Sequence, residues 1–142
     1  VYIGSFGSKV YAVNASTGSE EWTYDTGARV SPSSPTALNG NVYIGNNGNG
    51  KVYALNASDG SKVWETGTSG IDVSGSPAII DNILYIGSSD GTINAIDATT
   101  GVIQDTFTTP TGSRTSAIGG ADGWSFTNRP GRIGNTKPIP PF

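Results

Sequence analysis

The carboxylate and amide side chains are the groups with which this chain could do chemistry, because it contains neither histidine nor cysteine. Their absence excludes a Ser-His-Asp or Cys-His nucleophile and a thiolate metal site. The adjacent Glu20 and Glu21 could form an acid–base pair only if both faced one site. Consecutive residues of a strand point to opposite faces, so we expect both to be solvated surface groups. We predict no catalytic residue and no enzymatic activity.

Two turn sequences resemble calcium-binding loops in part. They are SSDGT around Asp90 and NNGNGK at residues 46–51. The second lacks the carboxylates and the downstream bidentate glutamate that such a loop uses, and a hairpin connection rich in glycine and asparagine explains it more simply. The phosphate-binding patterns GxxxxGK[ST] and GxGxxG are absent from the sequence. We therefore predict neither a metal nor a cofactor.

A repeat of 41 or 42 residues must position these groups. Tyr2, Tyr43 and Tyr85 stand in VYIG, VYIG and LYIG, and AVNASTGSEEW at residues 12–22 returns as ALNASDGSKVW at 54–64 and AIDATTGVIQD at 95–105. A period near this length is the sequence sign of propellers or solenoids. Each period holds four short strand-like runs between Gly, Asn, Asp and Ser turns, and no sustained helical spacing of apolar residues interrupts them.

One turn in each copy carries a structural docking motif. An Asn or Asp can form an Asx-turn, a glycine can adopt positive φ, and a following tryptophan can pack between neighbouring blades. The motif residues are Asn14, Gly18 and Trp22; Asn56, Gly60 and Trp64; and Asp97 and Gly101.

The copies of this motif differ in two respects. Asp105 replaces the tryptophan in the third copy, where Phe107 lies two residues later on the same strand face, so either the third blade has a poorer neighbour or the terminal repeat is degenerate. Asn14 and Asn56 are also formal glycosylation acceptors in NAS sequences, although the turn accounts for the same residues.

The spacing A-x-N/D-x-x-x-G-x-x-x-W, with the flanking YIGSxxGxxYAxN phrase, resembles the tryptophan-docking repeats of pyrroloquinoline quinone-like β-propellers over residues 1–107. The resemblance implies a fold shared by quinoprotein alcohol dehydrogenases and an outer-membrane assembly lipoprotein. In the dehydrogenases it implies a quinone at the centre of a closed ring, a calcium or lanthanide ion, an aspartate base and often an adjacent-cysteine disulfide. This chain has no cysteine and about three blades, so the resemblance is not specific for function.

We predict an all-β fold of β-propeller-type blades, which are four-stranded antiparallel meanders, about three per chain, in an open arc or part of a ring. Residues 1–107 form three repeats, at about 1–41, 42–82 and 83–107. Residues 108–127 form a degenerate partial fourth blade, in which TSAI at 115–118 resembles SPAI at 76–79. Residues 128–142 form an extended or disordered basic, proline-rich tail.

Charge and closure indicate a binding protein. Residues 1–107 carry four basic and ten acidic side chains, which argues against nucleic acid, and no apolar run is long enough to span a membrane. Because propellers typically ring 4–8 blades, three interpretations stay open. Two copies could close one ring by sharing a blade, head-to-tail contacts between copies could continue as a filament, or the chain could be one piece of a longer propeller.

We expect an extracellular or envelope scaffold that binds protein, other copies of itself included. The alternatives are a fragment of a quinone-dependent (PQQ) dehydrogenase and a carbohydrate-binding module using exposed aromatics such as Tyr24 and Phe6.

Overall fold

The computed structural model describes residues 1–30, 33–70, 72–73 and 75–109, and within these ranges the regular structure consists of strands. No helix of this described part is long and apolar enough to cross a membrane. The predicted partial fourth blade, apart from its first two residues, and the predicted tail lie outside the described residues. The strands are β1 Tyr2–Gly4, β2 Lys9–Val13, β3 Glu20–Asp25, β4 Thr36–Leu38, β5 Asn41–Gly45, β6 Lys51–Asn56, β7 Lys62–Gly67, β8 Ala78–Ile80, β9 Ile83–Gly87, β10 Thr92–Asp97 and β11 Ile103–Thr108.

These strands form three antiparallel meanders, which confirms the predicted all-β fold of propeller-type blades. The first sheet is β1-β2-β3, the second sheet is β4-β5-β6-β7 and the third sheet is β8-β9-β10-β11. The second and third sheets therefore have four strands, and the first has three among the described residues.

Short turns and long connections decide which strands share a sheet. The hairpin between β4 and β5 turns at Asn39 and Gly40, which have φ of 49° and 78°, and the β8–β9 hairpin turns at Asp81 and Asn82, also with positive φ. Two consecutive positive-φ residues are typical of tight hairpins that match the twist of a sheet. The connection between β3 and β4 is longer, from residue 26 to residue 35. The strand that follows it, β4, pairs with β5 of the second sheet and not with a strand of the first. The fourth strand of each sequence period thus lies in the next sheet.

A register irregularity recurs where the last two strands of each meander meet. It falls between Ala12 and Val13 in the first sheet, and at the equivalent places in the second and third sheets. An extra residue in one strand re-aims the side chains around it. In the first two sheets an alanine lies next to the bulge and pairs with the motif tryptophan on the neighbouring strand. Ala12 pairs with Trp22, and Ala54 pairs with Trp64.

The core consists of two layers, each between neighbouring sheets. The layer between the first and second sheets includes Val10 and Trp22 from the first and Ile44 from the second. The layer between the second and third sheets includes Trp64 from the second and Ile86 from the third. We call the face that a sheet presents to the next sheet its front face and the opposite face its back face. Each sheet therefore needs a neighbour on both faces to bury its apolar residues.

Candidate functional site

The turn before the last strand of each sheet is built around an Asx side-chain oxygen that accepts a backbone N–H two residues later in all three copies. Asn14 Oδ1 accepts hydrogen bonds from Ser16 N and Thr17 N at 2.9 and 3.1 Å. Asp97 Oδ1 accepts the equivalent pair of bonds from Thr99 N and Thr100 N, whereas Asn56 Oδ1 accepts one bond from Ser58 N and one from the Ser58 hydroxyl. A short polar side chain is required here because it satisfies backbone donors within the turn. The hydrogen bonds to backbone lower the pKa of the Asp97 carboxyl below its ordinary value.

The tryptophans of the first two motif copies each join their own sheet to the turn of the next sheet. Trp22 Nε1 donates to the carbonyl oxygen of Ala57 at 3.0 Å, and Trp64 Nε1 donates to that of Ala98 at 3.0 Å. The same two carbonyls accept hydrogen bonds from Tyr2 and Tyr43 at 3.3 and 3.1 Å. Trp22 and Trp64 are both buried. One backbone carbonyl thus satisfies two aromatic donors at each joint, which removes the cost of burying their polar atoms.

The turn glycines provide the surface on which each indole rests. Gly60 and Gly101 have φ of 72° and 75°, and a Cβ on either would lie 2.6 Å from Trp22 Cε3 or 2.7 Å from Trp64 Cδ2. Gly18 has the same conformation, with φ of 74°, but a Cβ there would meet nothing within 4 Å. The first copy therefore has a docking turn of the same construction with no indole of the described residues against it.

The third copy departs from the pattern at its outer strand. Asp105 stands opposite Ala95, in the place where the other two sheets carry tryptophan. Asp105 and Phe107 are half-buried and alternate with exposed Thr106, so both lie on one face. The front face of the third sheet consequently lacks the indole that fastens the other two sheets to their neighbours.

The back face of the first sheet exposes residues that the other sheets bury. Ile3 is 48% exposed, whereas its equivalents Ile44 and Ile86 are 0% exposed. Val1 is 64% exposed, whereas its equivalents Val42 and Leu84 are buried completely. This face, which we call the open back face, comprises Val1, Ile3 and Tyr11. It presents the apolar pattern of a sheet-to-sheet interface to the surroundings.

Asn94 in the third sheet is a buried polar residue whose burial the sequence did not indicate. Asn94 is 1% exposed and occupies the position of Tyr53, which packs against Tyr24 with ring centroids 6.0 Å apart. Asn94 Oδ1 accepts a hydrogen bond from Thr106 Oγ1, while its Nδ2 atom has no partner among the described residues. The only sequence signal is that Asn94 breaks the Tyr11 and Tyr53 pattern.

Glu65 makes ion pairs, and Asp90 accepts structural hydrogen bonds. Glu65 lies 2.6 Å from Lys51 Nζ and 2.8 Å from Lys62 Nζ, and these two lysines lower its pKa to about 2. Asp90 accepts hydrogen bonds from Ser69 and Thr92. Partial burial raises the pKa of Asp90, but these hydrogen bonds outweigh burial and bring it down to about 2. Glu20 and Glu21 are both exposed.

The two loops that resemble calcium sites have structural roles. Asn46 is buried, and its Oδ1 atom accepts the backbone N–H of Lys51 at 3.2 Å. The Asn47 backbone bridges Arg29 and Asp72 in the loops on either side. Within the described ranges, no three His, Cys, Asp or Glu side chains lie together in a group that could hold a metal ion.

The amides proposed as glycosylation acceptors differ in their surroundings. Asn14 Nδ2 donates to Glu21 Oε1 at 2.8 Å. At Asn56 the position of Glu21 is taken by Val63, and the Asn56 Oδ1 atom accepts a bond from the Ser58 hydroxyl at 2.6 Å. Glycosylation at either residue remains a prediction.

The aromatic residues proposed to bind carbohydrate do not form an exposed platform. Tyr24 is half-buried against Tyr53, and burial raises its pKa, so the expectation of an exposed Tyr24 was wrong. Phe6 is 68% exposed, but Arg29 lies over its ring at 4.9 Å. Tyr53 therefore covers part of Tyr24, and Arg29 covers one face of the Phe6 ring.

Comparison with known proteins gives one family match and several structural matches. The family model described as outer membrane protein assembly factor BamB matches residues 1–129. A search of the curated proteins finds no match. The solved structure of BamB from Moraxella catarrhalis is 28% identical with a TM-score of 0.66, over 75% of this chain and 32% of that protein. Quinohemoprotein alcohol dehydrogenase from Comamonas testosteroni is 27% identical with a TM-score of 0.65, over 75% of this chain and 19% of the enzyme.

The computationally designed Ika4 protein shares the fold. It is 18% identical with a TM-score of 0.74, over 87% of this chain and 74% of Ika4. Compared with the two natural proteins above, the chain spans about a third of the length of BamB and about a fifth of the length of the dehydrogenase.

Proposed function

Since the chain belongs to the family of the outer membrane protein assembly factor BamB, we propose that it is a non-catalytic β-propeller scaffold that binds other proteins. The family match and the two structural matches above 25% identity also confirm the resemblance to pyrroloquinoline quinone-like repeats. The name of the family model describes an assembly factor of outer membrane proteins, which favours a location in the cell envelope.

The family match over residues 1–129 carries this proposal, and the open back face of the first sheet is the surface on which we propose that a partner binds. Ile3 is 48% exposed, although the same position in the other two sheets is fully buried. When a matching surface covers this face, its apolar side chains are removed from water. Each Å² of apolar surface buried in this way stabilises the complex by about 25 cal/mol. The partners we propose are proteins that present a β-sheet face or strand, other copies of this chain included.

A fragment of a quinone-dependent dehydrogenase is the second candidate, and the match to the Comamonas testosteroni enzyme favours it. The described residues do not fit a quinone and its metal ion. No group of three or more carboxylate, histidine or cysteine side chains lies together among them in a way that could hold a metal ion, while Glu65 is engaged by an ion pair and Asp90 by hydrogen bonds. The scaffold is therefore the better supported function.

The binding role can be tested by light scattering with Ile3→Glu and a matched control. The control is Val102→Glu, because Val102 is 56% exposed in the docking turn of the third sheet and lies outside the open back face. We expect the parent chain and Val102→Glu to associate and Ile3→Glu to have the mass of one chain. A parent chain that remains monomeric at every concentration would contradict a role for this face in self-association.

The dehydrogenase candidate needs a separate measurement. The chain should be titrated with pyrroloquinoline quinone and calcium, with binding followed by fluorescence and alcohol oxidation followed with an electron-accepting dye. We expect neither saturable binding nor oxidation. Saturable binding together with alcohol-dependent dye reduction would overturn the scaffold assignment.

A further inference from the structure

Two facing positions distinguish the joint between the second and third sheets from the joint between the first and second sheets. We call these the second joint and the first joint. At the first joint Tyr24 and Tyr53 pack against each other, with ring centroids 6.0 Å apart. Their equivalents at the second joint are Thr66 and Asn94. Two aromatic rings are thus replaced by two short side chains at the same place in the interface.

The pairing of strands shows that Thr66 and Asn94 both point into the second joint. Asn94 pairs with Ile86 and Thr66 pairs with Val52, and these two apolar partners belong to the core layer between the second and third sheets. Residues that pair across antiparallel strands lie on the same face of a sheet. The Thr66 hydroxyl also donates to the carbonyl oxygen of Gly101 in the third sheet. The two side chains therefore lie on the two walls of one interface.

The core residues around these positions do not become larger in compensation. Equivalent core residues of the first and second joints include Trp22 and Trp64, Val30 and Val73, and Ile44 and Ile86. Size is gained at Leu84, which replaces Val42, and at Ile79, which replaces Ala37. Leu84 and Ile79 pair with each other on β9 and β8, whereas Asn94 pairs with Ile86. The added groups therefore lie away from the place that the rings occupy at the first joint.

The two joints are fastened in the same way at both ends, so their sheets are held at a similar spacing. The indole nitrogens of Trp22 and Trp64 each lie 3.0 Å from the carbonyl oxygen that they bond in the next sheet. At the opposite end, a backbone N–H of the next sheet donates to a carbonyl oxygen of the connection before it. These bonds join Asn47 to Arg29 at the first joint and Ser89 to Asp72 at the second. A closer approach of the sheets at these bonds therefore does not offset the loss of two rings.

The polar groups at this place are paired at the first joint and have different partners at the second. The Tyr53 hydroxyl donates to the Thr26 carbonyl oxygen at 2.9 Å. Thr68 is the equivalent of Thr26, since the hydroxyl of each bonds a carbonyl oxygen in the preceding hairpin of its own sheet. Asn94 Nδ2, in the place of the tyrosine, is buried and has no partner among the described residues. A buried donor of this kind favours any ligand that brings an acceptor to it.

We propose that the space between Thr66 and Asn94, which we call the second-joint recess, is a binding site for a small aromatic molecule. The ring of the ligand takes the place that the Tyr53 ring has at the first joint. A hydroxyl at one end of the ring donates to the Thr68 carbonyl oxygen, and a carbonyl group at the opposite end accepts from Asn94 Nδ2. The ligand class is therefore that of 4-hydroxyaryl carbonyl compounds. An internal space left by a missing side chain can bind a single aromatic ring.

The outer side of the second-joint recess provides the path of entry. Thr66 is half-buried there, in the place where Tyr24 covers the first joint. Thr106 is exposed, and its hydroxyl donates to Asn94 Oδ1 at 3.2 Å, so the other end of the amide is left for the ligand. Asn94 itself is 1% exposed, and a ligand enters when the two threonine side chains rotate.

Titration of the full chain with 4-hydroxybenzamide, followed by protein NMR, tests the proposal. This probe carries the hydroxyl and the carbonyl at opposite ends of one ring. We expect saturable shifts of the Thr66 and Asn94 signals with a dissociation constant of about 1 mM or below, as a ligand of about ten non-hydrogen atoms allows. Benzamide lacks the hydroxyl and leaves the Thr68 carbonyl unpaired, so it should bind at least about tenfold more weakly.

Substitutions at residue 94 separate the space from the donor. Asn94→Tyr fills the recess with a covalently attached phenol and restores the residue type of the first joint, so the variant should fold and lose binding of the probe. Asn49→Tyr is the matched control, because Asn49 is exposed in a turn of the second sheet, and it should bind like the parent chain. Asn94→Leu keeps a side chain of similar size without the donor and should weaken binding at least about tenfold.

The absence of saturable shifts in the parent chain would overturn the proposal, and so would equal binding by the parent chain and Asn94→Tyr. An NMR cross-peak between the Asn94 amide protons and a long-lived water, with no probe bound, would show that the recess holds solvent alone and would overturn it as well. These results leave the scaffold function untouched, because light scattering measures association through the open back face independently of the probe.

Discussion

Trp22 lies directly on Gly60, a residue of the next sheet, and a Cβ atom at Gly60 would come within 2.6 Å of the indole. The relationship crosses the boundary between two repeats, since Trp22 belongs to the first copy of the motif and Gly60 to the second. The glycine that makes the turn possible is therefore also the residue that makes room for the tryptophan of the preceding sheet.

Gly60→Ala and Gly18→Ala separate these two roles. Both glycines have positive φ, which costs an alanine about 1 kcal/mol. At Gly60 the Cβ also overlaps the indole, so we expect a total loss of about 3 kcal/mol in the free energy of unfolding. Gly18→Ala should lose only the first part because no atom lies within 4 Å. Urea denaturation measures the free energy of unfolding of both variants. Equal losses would show that the Trp22 indole moves away from the added methyl group at no cost in stability.

Trp64→Ala should destabilise the joint between the second and third sheets. It removes a buried indole and its hydrogen bond to the Ala98 carbonyl, and we expect a loss of about 3–5 kcal/mol in the free energy of unfolding. Val63→Ala, one residue earlier and 47% exposed, is the matched control and should change stability by less than about 0.5 kcal/mol. A loss below about 1 kcal/mol for Trp64→Ala would contradict a role in holding the sheets together.

Asn94→Leu should stabilise the chain. The side-chain Nδ2 atom is buried without a partner among the described residues, and replacing it by a methyl group of similar shape removes the cost of its desolvation. We expect a gain of about 1 kcal/mol in chemical denaturation, since Thr106 is exposed and can hydrogen-bond to water. Asn94→Asp should instead be strongly destabilising because it buries a charge. A loss of stability with leucine would indicate an ordered water on Nδ2.

The Asp90 carboxylate should make part of the stability depend on pH. Although partial burial raises its pKa, hydrogen bonds from Thr92, Ser69 and Ser88 lower the folded-state value from 3.8 to about 2. The stabilisation is therefore complete above pH 3.8 and disappears as the pH falls toward 2.

The test compares the parent chain with Asp90→Asn. Because the group is exposed, we expect Asp90→Asn to lose about 1 kcal/mol or less at pH 7 and almost nothing near pH 2. Carbon-13 NMR should also find a higher Asp90 pKa in Ser69→Ala, which removes one donor. An unchanged pKa in Ser69→Ala would show that this hydrogen bond does not hold the carboxylate.

The strands and docking turns could be predicted because their residues recur at fixed spacing. Repetition distinguishes Asn14, Gly18 and Trp22 from chance, and the requirements of an Asx-turn and of positive φ are local properties of a few neighbouring residues. The Asn39-Gly40 turn likewise predicts the hairpin that carries β4 into the second sheet.

The relations between sheets could not be predicted in the same way. Nothing local in the sequence indicates that Gly60 contacts Trp22, which precedes it, or that one carbonyl at Ala57 accepts bonds from both Trp22 and Tyr2. The burial of Asn94 depends on the sheet packed against it, and a polar residue in a strand is by itself equally compatible with a solvated face.

The carbonyl shared by a tryptophan and a tyrosine also bears on how such chains change in evolution. Trp22 reaches a carbonyl 35 residues ahead and Trp64 one 34 residues ahead, so both joints are made by nearly the same stretch of chain. Unequal recombination that adds or removes one whole repeat creates no new kind of joint, because every incoming tryptophan meets the same turn. A deletion of half a repeat would separate an indole from its carbonyl. Gene length in this lineage is therefore expected to vary in whole repeats.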